Sequence, residues 1–243
     1  MTEHLKAIAA QLTKALNLDL PPVQVSYLDS PPAGVPEHPG GVPSVCTFFA
    51  LGTEQTFYAG LSQHEDCEIG AFVLGIPPEG DVGARLMDTI GTMQQEGYLN
   101  PGEEAHVPHN AVAPKYVAYG PLGSLPMPPT SVLLFARPEA AMLALETAGA
   151  GAEAPPVPMN GRPMCAIMPI MNNGARVAVS LGCTGSRIYT EMGENRMVVG
   201  IRGDHLDDFV QKLSRIVHAN EWVKVEDRRR KTESSRSFHR TAR

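Results

Sequence analysis

The sequence predicts an α+β domain, a mixed or antiparallel sheet with helices packed outside it. Short apolar segments with period-two alternation recur between turn-forming residues, as half-buried strands require. Between them lie segments with apolar residues three and four apart, as helices with one core-facing side require. The 23 glycines and 22 prolines among 243 residues break the chain into short elements, which is expected to exclude long uninterrupted helices.

Leu5, Ile8, Leu12 and Leu16 repeat at helical spacing after Thr2, which is placed to cap a first helix. Pro21-Pro22 stops it, and Val23, Val25 and Tyr27 alternate as a strand. A Pro/Gly-rich loop over residues 31–43 leads to Cys46, in an apolar run read as a strand. Residues 56–61 form the next strand, which ends in the polar turn 62–66 before Cys67. After Gly75-Ile76, Asp81 is placed to cap a helix bearing Leu86, Ile90 and Met93 on one face. Residues 96–110 are polar and turn-rich, a connection between two halves.

The second half opens with a strand over 112–119, interrupted by Pro114, and a stronger one over 131–136. Pro138 suits the first position of a helix running through Leu145. An Ala/Gly-rich and then Pro-rich stretch, 148–158, reads as a flexible connector. Residues 164–170, 175–181 and 196–201 read as strands. Asp204 is then placed to cap a helix with Leu206, Phe209, Val210, Leu213 and Val217 on one side. The segment 227–243 carries Arg228-Arg229-Arg230-Lys231 and few apolar residues, and is expected to be a disordered basic tail.

The four cysteines fall in two similar phrases. Cys46 and Cys67 lie in the first, Cys165 and Cys183 in the second; each phrase closes on Gly-Ile and is followed by a helix. This suggests one domain over 1–226 built of two pseudo-repeated halves, about 20–96 and 115–218. The strand at Val23 would then correspond to the one at Ser131, and the helix after Asp81 to the one after Asp204.

At 43% hydrophobic residues the chain can bury a core, and its formal charge of -6 disfavours nucleic acid and anionic membrane as partners. No run approaches the roughly 18 apolar residues of a membrane span, and the N-terminus lacks a basic-then-apolar leader. A cytoplasmic location is expected, where cysteines are better read as thiols, ligands or redox groups than as structural disulfides. A small-molecule ligand and a homo-oligomer stay open.

The chain resembles the uncharacterised family named domain of unknown function 169, also called the archaeal conserved region family. The resemblance rests on PPVQVSYL, the Cys46 segment, HEDCEIGAFVLGI, YVAYGPL, SVLLFARPEAAM and GCTGSR. It covers most of residues 20–217 and brings no catalytic residues with it. One departure is Ser26, where a lysine is expected in a VAVKF-like strand.

No CxxC occurs, so a zinc or iron–sulfur site would be assembled by the fold from distant pairs, with Cys46, Cys67, Cys165 and Cys183 as ligands. Gly70, Gly182 and Gly185 would let backbone approach a cofactor, and Arg187 would tune a thiolate or hold an anion. Against this, cysteine packs as a small hydrophobe, and Cys46 and Cys165 lie in apolar runs. Cys67 and Cys183 follow strand ends, where a reactive thiol is reachable. His64, Glu65 and Asp66 precede Cys67 and read as a solvated turn; His106 and His109 flank Pro108, which spoils a shared helical face. No P-loop, Gly-x-Ser-x-Gly or His-Glu-x-x-His signature is present. Catalytic residues are therefore unassigned. The sequence supports a thiolate-based metal or iron–sulfur protein with a redox or small-molecule role, with a non-catalytic small-molecule-binding protein holding structural cysteines as the alternative.

Overall fold

A computed structural model describes residues 1–149 and 156–241, with side chains as far as 232. The elements run α1 (Thr2–Leu16), β1 (Val23–Leu28), α2 (Val45–Leu51), β2 (Phe57–Gly60), α3 (Glu68–Val73), α4 (Gly80–Gln95), β3 (Tyr116–Pro121) and β4 (Ser131–Ala136). They continue α5 (Pro138–Ala148), β5 (Met159–Asn160), α6 (Ile167–Asn172), β6 (Val177–Ser180), α7 (Thr184–Thr190), β7 (Met197–Arg202) and α8 (Leu206–Thr241). The seven strands form one mixed sheet of order β2-β3-β1-β4-β7-β6-β5, antiparallel except for the β5–β6 pair. The expected α+β class holds.

β1 and β4 lie side by side at the middle of the sheet, joined by the register Val23↔Leu133, Gln24↔Val132 and Val25↔Ser131. Outward from this seam, β1 pairs with β3 and β3 with β2, while β4 pairs with β7 and β7 with β6. The period-two pattern sends alternate residues to opposite faces. Leu133 and Phe135 join Val23, Val25 and Tyr119 in a core with α2, α3 and α6. Val132 and Leu134 turn the other way, onto α1, α5 and α8, where Leu5, Ile8, Leu12, Leu16, Phe209 and Leu213 meet them. On that side of β1, Gln24 and Ser26 are buried under the loop after β3: Gln24 Nε2 donates to Met127 O at 2.7 Å and Ser26 Oγ to Pro128 O at 2.9 Å. A serine at position 26 thus serves the strand by anchoring a loop.

Several expectations are corrected. The Cys46 segment is helix α2, and residues 164–170 are a 3-10 turn, Met164–Ala166, running into α6, not strands. Both are short apolar runs buried nearly all round, for which periodicity does not separate strand from helix. Asp81 lies in the first turn of α4 with Glu79 at the cap, and Asp204 sits in a 3-10 turn where its carboxylate accepts from Arg202 Nε at 2.6 Å. Long helices are not excluded: α8 has 36 residues, and its sequence contains neither glycine nor proline. It continues to Thr241 where a disordered tail is expected, its exposed stretch carrying local pairs such as Glu226 with Arg229 and Arg230. The connector expected over 148–158 lies mostly outside the described residues.

Candidate functional site

The four cysteines meet on one face of the sheet. Ser44 caps α2, its hydroxyl accepting the Cys46 N–H at 3.3 Å, so Cys46 is held in the first turn. Cys165 lies in the 3-10 turn before α6. Cys67 and Cys183 occupy matching positions, each at the cap of a short helix and each accepting from the amide three residues on: Gly70 N–H at 3.3 Å and Ser186 N–H at 3.4 Å. In both cases the thiol does what a serine or asparagine usually does at this position. α2 packs against α3, α7 and the 164–166 turn, which gathers the sulfurs. Cys46 and Cys165 are 3% and 4% exposed, whereas Cys67 and Cys183 are partly exposed at the edge of the same core.

The innermost pair is electrostatically coupled. The neighbouring Cys165 thiol, with smaller contributions from Ser44 and nearby backbone amides, draws Cys46 below the usual thiol range against the opposing effect of burial. The neighbouring Cys46 thiol and burial push Cys165 well above that range, and the charges of Cys46, Cys67 and Cys183 all bear on it. Burial also raises Cys67, offset in part by hydrogen bonds from the Val45 and Gly70 backbone. The two innermost thiols are thus shifted in opposite directions.

Gly70 permits the close approach of α3 to α2: a Cβ there would collide with Val45 Cγ2 and lie 2.8 Å from Val45 Cβ and 2.9 Å from Cys67 Sγ. Gly182 has φ +83 on the turn before Cys183, a conformation that favours glycine. A Cβ at Gly185 would meet only Cys183 Sγ, at 4.0 Å. Arg187 donates to Gly193 O at 2.5 Å and to Leu181 O at 2.6 Å, so its guanidinium ties together the chain on either side of α7. Among the described residues, no three His, Cys, Asp or Glu side chains are already set to hold a metal ion.

Near the thiols lie polar groups that, His64 apart, the sequence gave no reason to single out. Asn172 Nδ2 donates to Asn110 Oδ1 at 2.9 Å, and Asn110 Nδ2 donates to Tyr27 Oη at 3.3 Å. Burial pushes Tyr27 up to about 12 and Tyr119 well above 10.0, so both phenols stay neutral. His64 is fully buried, not part of a solvated turn. Its Nδ1 faces Gly60 O at 2.6 Å and its Nε2 faces Tyr119 Oη at 2.9 Å, which fits an Nδ1–H donor and an Nε2 acceptor. Phe48 packs on its ring and stacks on Tyr119 with centroids 5.4 Å apart. The one sequence signal for these groups was the alternation that turned Tyr27 and Tyr119 inward. His106 and His109 are exposed in the loop before β3, with His109 packed against Phe72.

Away from the cysteines, a groove of about 420 Å³ runs between α1 and α8, bordered by His4, Ile8, Gln11, Asp207 and Arg215. No helix among the described residues is long and apolar enough to cross a membrane. No curated protein and no solved structure matches the chain. Residues 11–212, which carry the whole sheet and all four cysteines, match the family described as uncharacterised ArCR, domain of unknown function 169. The chain belongs to that family.

Proposed function

We propose that the chain is a thiol-centre protein in which Cys46, Cys67, Cys165 and Cys183 form a thiolate site for zinc or an iron–sulfur cluster, with a redox or small-molecule role. The supporting observation is the convergence of sulfurs from distant parts of the sequence on Cys165, which is subject to the charge of all three others. Four thiolates suit either group. The Gly70 and Ser186 amides already directed at Cys67 and Cys183 would remain as N–H···S bonds to ligand sulfurs. Among the described residues the thiols are not set at ligand geometry, so loading would draw the four sulfurs closer together. Elemental analysis and an absorption spectrum of protein prepared without oxygen test this. Stoichiometric zinc, or iron with sulfide, that falls on Cys67→Ser or Cys183→Ser is expected; metal-free, colourless, fully stable protein would sink the proposal.

The near-complete burial of Cys46 and Cys165 favours the second reading, a non-catalytic small-molecule-binding protein with structural cysteines. In that case Cys→Ser changes lower stability and leave metal content at zero.

A further inference from the structure

Helix α8 outruns the layer it packs in. Asn220 and Lys224 still bond Glu146 and Glu139 of α5, at 2.7 and 3.1 Å, and the helix then runs on to Thr241, about 25 Å further at the usual rise per residue. Trp222 follows Leu213 by about two and a half turns, which puts it on the side of α8 away from the sheet. It is 63% exposed, and Val225, one turn on, is 54% exposed. Arg229 comes next at the same period, and Arg236 and Arg240 continue it in the sequence. Of the 20 Lys and Arg residues, seven fall within 228–243 beside one of the 26 acids, so this segment carries +6 and the rest of the chain −12.

The opposite charge is gathered across the sheet. Residues 65–104, which include α3 and α4, hold nine acids and a single base, Arg85. Asp66, Glu79, Asp81, Asp88 and Glu96 are exposed there, and so is Met87, at 65%. Val82 ties α4 to the layer of the cysteines, whereas α8 belongs with α1 and α5 to the other layer. The sheet therefore separates this face from the α8 of its own chain, and a continuous helix cannot fold back around it. We propose that the distal part of α8 docks on the α3–α4 face of a second copy of the chain, with Trp222 and Val225 against Met87 and the arginines along Asp81 and Asp88. A buried aromatic anchor inside a charged rim is the common anatomy of a protein interface. Two such contacts, one in each direction, close a two-fold dimer. Nucleic acid suits the helix less well, because Glu221, Glu226 and Asp227 interleave with its bases and the body behind it is acidic, and both repel phosphates. This contact lies apart from the thiol site and does not depend on how that site is used.

The test is the mass of the full chain in solution by sedimentation equilibrium, at high concentration because exposed charge pairs each add little. Low salt should give a mass of at least two chains. Association should weaken at least about tenfold between about 0.01 M and about 1 M salt, as screening shortens from about 30 Å to about 3 Å. Truncation after Glu226, and separately Trp222→Ala, should shift the chain to the single-chain mass. Two charge-reversed proteins sharpen the test: one carries Arg229→Glu, Arg236→Glu and Arg240→Glu, the other Asp81→Lys and Asp88→Lys. Each alone should be a single chain, and an equal mixture should associate, because the acidic helix of one then meets the basic face of the other in both directions. A single-chain mass for the wild type in low salt, association that survives the truncation, or failure of the mixture to associate overturns the inference. So does a wild type that stays a single chain yet shifts labelled duplex DNA in a way the truncation abolishes, which would assign the helix to nucleic acid. The truncation removes only the distal helix, so a poorly folding charge variant leaves the test intact.

Discussion

A neutral histidine at the base of an aromatic cluster makes folding pH-dependent. Burial lowers His64 from 6.5 to about 4, so between those values the unfolded chain binds a proton that the folded chain does not. Stability is therefore full above about pH 6.5 and falls as the pH drops toward 4, by about 1.4 kcal/mol per unit. The integrated loss is on the order of 3 kcal/mol. Urea midpoints measured across this range should show that slope in the wild type and lose it in His64→Gln; parallel profiles for the two proteins would contradict the assignment. The sequence concealed this residue because a Ser-Gln-His-Glu-Asp run has the composition of an exposed turn. Only the partners Gly60 O and Tyr119 Oη, the second distant in sequence, make its burial tolerable.

At the scale of elements, α2 and α3 depend on the missing side chain at position 70. Gly70→Ala would force a methyl against Val45 and the Cys67 sulfur. It should cost about 1–3 kcal/mol, the usual penalty of overpacking, and should make the Cys67 thiol more accessible to alkylation. Thermal unfolding and the rate of thiol labelling check both effects, and an unchanged labelling rate would mean that the α2–α3 contact does not hold Cys67. The strand 131–136, an apolar run buried on both faces, was legible in sequence, as was the apolar face of α1. The helices carrying Cys46 and Cys165 were not, because VCTFFAL and MCAIMPIM are apolar without a period. The gathering of the cysteines into one core is a tertiary fact with no local signature.

Taken as a whole molecule, the body ends before the chain does. The apolar face of α8 packs through Phe209, Val210 and Leu213 onto the sheet, with Ile216 and Val217 at its border, whereas Trp222, Val223 and Val225 stand exposed. Truncation after Glu226 should leave the unfolding midpoint of the body within about 0.5 kcal/mol of wild type while reducing the helical circular dichroism signal. A large loss of stability would show that the distal helix supports the fold. Composition indicated how polar this segment is but not its conformation, since charged residues spaced three and four apart also favour helix.

The three-residue ladder between β1 and β4 acts as a ruler for the chemistry above it. A slip of one residue along a strand is a displacement of about 3.3 Å, more than the about 2.3 Å of a metal–sulfur bond. A change in this central alignment would therefore shift the strands beneath α2 and α6 relative to one another by more than that span. The buried faces of Val23, Val25 and Leu133 guard against such a slip, since it would turn them toward the opposite layer. The layer that holds the four cysteines is thus aligned at the middle of the sheet, far in sequence from any of them.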